Sequence, residues 1–190
     1  MFNIFNRISM RNRATSVLDK MGVEYALLPD GSLLIEGDDA LRGALMPTTA
    51  SGLGRALAEN VWDSKDKLLL LNMFNYAHPQ DLMKLIGSGP GFMGSDKGGM
   101  LTNHLMAQPD SVLFLDEIDK ADQRVRNMLD EAIKTRKLKD ANRNEVKLDQ
   151  TLVVQFSACV SPETQQRRAT TLQRPIKAMK PLSLQKTAVS

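Results

Sequence analysis

Apolar positions along the chain fall into two patterns: unbroken runs, and runs spaced every three or four residues. Unbroken runs at Lys67 to Leu71, which holds four successive leucines, at Ser111 to Leu115 and at Thr151 to Phe156 predict strands covered on both faces. Helical spacing is clearest over Gln123 to Thr135, where Val125, Met128, Leu129 and Ile133 make one apolar stripe. Shorter helices are predicted over Arg11 to Met21, Ala56 to Trp62, His78 to Ile86 and Met100 to Met106. Val23 to Leu28 and Ser32 to Ile35 read as two short strands joined by a Pro29-Asp30-Gly31 turn. Ala44 to Met46 reads as a further short strand, followed by a turn-like stretch from Pro47 to Gly54. Gly87 to Gly99 is glycine-rich and predicts a loop. Strands alternate with helices, which favours an α/β fold: a parallel sheet with helices on both faces. The expected organisation is an N-terminal helix and hairpin over residues 1–39, a core over 40–160, and a basic, loosely ordered tail over 161–190.

The chemistry concentrates at one strand end. Ser111-Val112-Leu113-Phe114-Leu115-Asp116-Glu117 is an apolar strand that closes on two acids. In P-loop nucleotidases a carboxylate at this place holds the magnesium of Mg-ATP, usually through water, and a second can polarise the attacking water. Rigid placement at the carboxyl edge of a sheet suits that work, because ligands of open α/β folds bind there. The same heptapeptide also fits a plain strand followed by an acidic helix start. A phosphate loop needs amide-presenting glycines, a lysine and a hydroxyl. Thr49-Ala50-Ser51-Gly52-Leu53-Gly54-Arg55-Ala56 is the best candidate, with Ser51, Gly52, Gly54 and Arg55 as the phosphate-facing residues. In this register Thr49 stands for the first glycine, Arg55 for the lysine and Ala56 for the hydroxyl. A second register puts Ala50-Ser51 at the lysine-hydroxyl pair, keeping a hydroxyl and losing the charge. A simple turn and helix cap is the third reading.

From Asn72 to Thr151 the chain resembles the second ATPase domain of the Clp-type AAA+ unfoldases. The resemblance rests on Lys84-Leu85-Ile86-Gly87, Gly89-Pro90-Gly91-Phe92-Met93-Gly94, Asp96 to Thr102, the run VLFLDEIDKA from Val112 to Ala121, Arg136 to Asp140, and Asn144. It implies an AAA+ core that uses ATP and Mg2+, with Asp116 organising the magnesium through water and Glu117 as the catalytic acid. It also implies that Gly91, Phe92, Met93 and Gly94 form a pore loop whose aromatic ring grips an extended polypeptide. Such a loop works only in a ring, either of copies of this chain or with a full-length AAA+ partner. The chain departs from the family at the phosphate loop, at Ala158 in place of a polar sensor residue, and at Asn72 and Asn75 in place of acids. It also ends before the family's helical lid. Two readings follow: an ATPase module that remodels protein, and an inactive pseudo-ATPase that serves in binding or assembly.

Bulk properties change this picture little. The 190 residues carry 42% hydrophobic and 25% charged residues, as expected of one globular domain with tails. A net charge of +3 is too small to argue for nucleic acid, the excess lying mostly in the C-terminal tail. Cys159 is the single cysteine, so no internal disulfide forms. No apolar run predicts a membrane span, and the N-terminus lacks a signal-peptide pattern, which makes the cytoplasm the expected location. His78 and His104 have no partner at metal-ligand spacing, and His104 reads as a polar surface residue.

Overall fold

The computed structural model describes residues 4–23, 25–36, 50–89, 91 and 97–157. Helix α1 (Ile4–Met21) leads into strands β1 (Tyr25–Leu27) and β2 (Leu33–Glu36), and α2 (Ala50–Trp62) precedes β3 (Leu68–Asn72). A short α3 (Leu82–Ile86) and α4 (Met100–Ala107) lead to β4 (Val112–Asp116). Then come α5 (Gln123–Thr135), a hairpin of β5 (Lys137–Lys139) and β6 (Glu145–Lys147), and finally β7 (Leu152–Ser157). The five-stranded sheet runs β1-β2-β7-β4-β3, with only β1 antiparallel to its neighbour.

Strand alternation explains why the apolar runs are unbroken. On β4, Val112 and Phe114 face one cluster with α1 and α2 residues such as Leu18, Leu57 and Val61. Leu113 and Leu115 face the opposite cluster with Leu101, Leu105, Val125, Leu129 and Ile133. Both faces of a central strand must therefore be apolar, because each has a helical layer over it. The expected fold class is what the chain adopts.

Two expectations change in detail. The N-terminal hairpin belongs to the main sheet: β2 pairs in parallel with β7, Leu33 opposite Val154 and Glu36 opposite Ser157. Within the described part of that segment, Met10, Ala14, Val17, Leu33 and Ile35 share a core with Val154 and Phe156. The stretch read as a turn up to Gly54 is helical from Ala50. Its apolar stripe, Leu53, Leu57, Ala58 and Val61, is buried along its whole length, and that burial carries the helix back past the glycines. The predicted strand at 44–46 lies outside the described residues.

Candidate functional site

Parallel pairing brings four strand ends to one edge. Glu36 sits opposite Ser157, Phe156 opposite Asp116, and Asp116 opposite Asn72. The apolar residues before them are buried, whereas Asp116 and Glu117 are half-buried. This edge therefore presents carboxylates on a rigid, dry base.

Glu117 leaves β4 in the left-handed region, at φ 57 and ψ 49. That conformation costs a non-glycine residue about 1–2 kcal/mol. Neighbouring bonds offset it. The Lys120 N–H donates to Glu117 O at 2.9 Å, and the Asp122 N–H donates to Tyr76 O at 2.9 Å. The Ser157 hydroxyl donates to Asp119 Oδ1 at 2.9 Å, tying the turn after Glu117 to the end of β7. Backbone strain held in place by its surroundings is a mark of functional positions. Asn72, beside Asp116, accepts the Phe74 N–H at 3.0 Å and caps the turn that follows β3.

The phosphate side differs from the first sequence register. Ser51, Gly52, Gly54 and Arg55 all lie within α2, so none belongs to a loop. Gly54 is buried where α2 crosses the sheet, and a methyl placed on it would come 2.9 Å from Leu68 Cδ1 and 3.4 Å from Phe114 Cδ2. Its smallness serves helix packing. Arg55 is on the exposed side of the helix. Ser51 is the second residue of that helix and carries the hydroxyl of its first turn. Thr49 lies outside the described residues. The acid half of the edge places two carboxylates, Asp116 and Glu117, at a strand end, whereas Gly52, Gly54 and Arg55, being helical, do not form a phosphate cradle.

Of the pore-like loop, Gly91 is exposed in a turn with φ +92, and Phe92, Met93 and Gly94 lie outside the described residues. Ala158 also lies outside them. The stem of that loop is closely packed: Gly87 sits against the backbone of Gly98 and Gly99, and the Asn103 amide donates to Lys97 O at 2.7 Å. Asp81 accepts from the Lys84 ammonium, and secondly from the His78 N–H; both hold its carboxyl below the ordinary range.

Sequence reasoning missed several features. Ser157 and Asp119 were not singled out, because only the fold brings them together. The β5–β6 hairpin was missed although Lys-Leu-Lys and Glu-Val-Lys alternate, with Leu138 and Val146 buried and their neighbours exposed. His104 is not a plain surface residue: it is half-buried, its Nε2 lies 3.2 Å from the buried Ser111 hydroxyl, and burial lowers its pKa. Among the described residues no helix is long and apolar enough to cross a membrane, and no three His, Cys, Asp or Glu side chains cluster as metal ligands.

The sequence profile described as "AAA domain (Cdc48 subfamily)" matches residues 38–188. That span takes in much of the segment read as a basic tail. The chain is similar to the negative regulator of genetic competence ClpC/MecB of Bacillus subtilis, 34% identical over 105 residues, 55% of this chain and 13% of the relative. It is similar to the chaperone protein ClpB of Lactococcus lactis, 33% identical over 138 residues, 73% of this chain and 15% of the relative. Against ClpB of Malacoplasma penetrans it is 25% identical over 167 residues, 83% of this chain and 23% of the relative. The chain therefore spans less than a quarter of the length of each of these relatives.

Proposed function

This chain belongs to the Clp-type AAA+ ATPase family, and from that premise we propose that it is a module that binds Mg-ATP at the carboxyl edge of its sheet. The observation that carries the reading is the pair Asp116 and Glu117 at the end of β4, the first opposite Asn72 on β3 and the second held in a left-handed conformation at the start of the turn that Ser157 ties down through Asp119. Bound Mg-ATP would supply the electrophilic phosphorus and the metal charge. Asp116 would hold the metal's water, and Glu117 would accept a proton from the attacking water. Ser51, in the first turn of α2, is the hydroxyl that would take the metal-binding place. With no lysine beside it, we expect weak affinity and slow turnover. The pore-like loop at Gly91 to Gly94, with Phe92 as the gripping side chain, would act on a protein substrate only in a ring with copies of this chain or with a full-length AAA+ partner. The cytoplasm is the location that fits this work.

A second reading has its own support. Gly52, Gly54 and Arg55 are part of α2, and a chain without a phosphate cradle would serve as a pseudo-ATPase in binding or assembly. Titration with Mg-ATP, followed by Trp62 fluorescence and by heat, separates the two. Saturable binding that Asp116→Asn weakens, with residual turnover abolished by Glu117→Gln, supports the first reading. Absence of binding at millimolar Mg-ATP overturns it in favour of the second.

A further inference from the structure

A separate charged feature lies at the opposite edge of the sheet, over the turn that joins β1 to β2. Three guanidinium groups converge there. A methyl placed on Gly31 would lie 3.1 Å from Arg136 Nη2, 3.4 Å from Arg11 Nη1 and 3.9 Å from Arg7 Nη2. Arg7 and Arg11 are four residues apart on α1 and share a face. Arg136 follows α5 in a left-handed conformation, φ 57.

Arg136 is fixed by the backbone around it. Its Nη2 donates to Asp30 O at 2.6 Å, its Nη1 approaches Thr151 O at 3.5 Å, and its own carbonyl accepts the Leu148 N–H at 2.9 Å. The turn beneath is equally fixed. Asp30 Oδ1 accepts from the Ser32 N–H at 2.8 Å and from the Ser32 hydroxyl at 2.6 Å, and that hydroxyl accepts from Gln155 at 3.3 Å. Arg7 and Arg11 make no hydrogen bond or ion pair among the described residues, so their donors remain available. The acids that act on Arg136 are Asp30 and Asp149, two carboxylates against three guanidiniums. Burial, and after it the charge of Arg7, pulls the Arg136 guanidinium below its ordinary value.

Like charges brought together on a fixed base leave a local excess of positive charge that an anion would relieve. Guanidinium forks match the spacing of tetrahedral oxyanions, and several converging forks select a doubly charged one. We propose that Arg7, Arg11 and Arg136 form a phosphate-binding site over the β1–β2 turn, distinct from the carboxyl edge where Asp116 lies.

The test is thermal unfolding of the whole chain against added inorganic phosphate, with chloride exchanged to keep ionic strength constant. A saturable rise in Tm is expected for the wild type and for Arg124→Gln, an exposed arginine on α5. Arg7→Gln and Arg11→Gln each remove a charge-assisted donor and are expected to weaken apparent phosphate affinity by roughly tenfold or more. Arg11→Lys keeps the charge and loses the fork, so it is expected to weaken binding as well, and it serves if a glutamine variant does not fold. No saturable rise in the wild type overturns the proposal. So does a rise that survives in Arg11→Gln and Arg11→Lys, because the phosphate is then bound elsewhere, as at the carboxyl edge.

Discussion

Replacing Gly87 by alanine tests how the glycine-rich segment is anchored. Gly87 closes α3 at φ 92 and ψ 173, a region that only glycine adopts readily, and its N–H donates to Met83 O at 2.8 Å. Holding a side-chain-bearing residue there costs of order 1–3 kcal/mol. The new Cβ would also lie 3.0 Å from Gly98 C and 3.1 Å from Gly99 N, atoms of the backbone that no rotamer change can move aside. Crowding of this kind adds about 1 kcal/mol, at the low end of overpacking costs. The expected destabilisation is therefore about 2–4 kcal/mol. Gly89→Ala is the matched control in the same segment, because a Cβ there meets nothing within 4 Å; its expected effect is within about 0.5 kcal/mol. Urea unfolding followed by Trp62 fluorescence reads both. With a slope of about 1–3 kcal/mol/M, Gly87→Ala should move the midpoint down by on the order of 1–2 M. If the two variants unfold within about 0.5 kcal/mol of each other, the pinched stem is not what holds the loop.

Two further outcomes follow from other parts of the molecule. Gly54→Ala should leave Mg-ATP affinity unchanged, because Gly54 is a packing residue inside α2; calorimetric titration showing a lost affinity would return it to the phosphate loop. Its stability should change by no more than about 1 kcal/mol, since better helix propensity opposes the tight contact with Leu68. Burial lowers the pKa of His104, so the unfolded chain takes up the proton first as pH falls. Stability should then decline below about pH 6.5, the ordinary histidine value. His104→Gln should flatten that part of the stability profile in denaturant melts at several pH values.

Legibility in the sequence followed the strength of the local signal. β3, β4 and β7 were readable because a strand covered on both faces needs an unbroken apolar run, and α5 because its stripe is regular; the Asp122 cap on the Arg124 N–H came only with the structure. Asp116 and Glu117 were readable because their strand could be placed. The phosphate side was misplaced because Ser51, Gly52 and Gly54 have poor helix propensity, and tertiary burial of Leu53 and Leu57 overrode it. The Ser157 to Asp119 bond and the meeting of Arg7, Arg11 and Arg136 could not be read at all. They join residues far apart in the chain, and only the crossing of strands brings them together. The same holds for β2: nothing local shows that Leu33 pairs with Val154.

That last pairing sets an order of events. β2 is made early and its parallel partner β7 late, so the strand must wait through the synthesis of every element between them. Closing so long a loop carries the largest chain-entropy cost in the sheet, and contacts this distant in sequence slow folding. Until Ser157 has emerged, the apolar residues of α1, β2 and α2 lack Val154 and Phe156, part of the layer they pack against. Until β7 follows, the nascent chain therefore carries β2 with one edge open and an apolar face uncovered, the state in which misassembly starts.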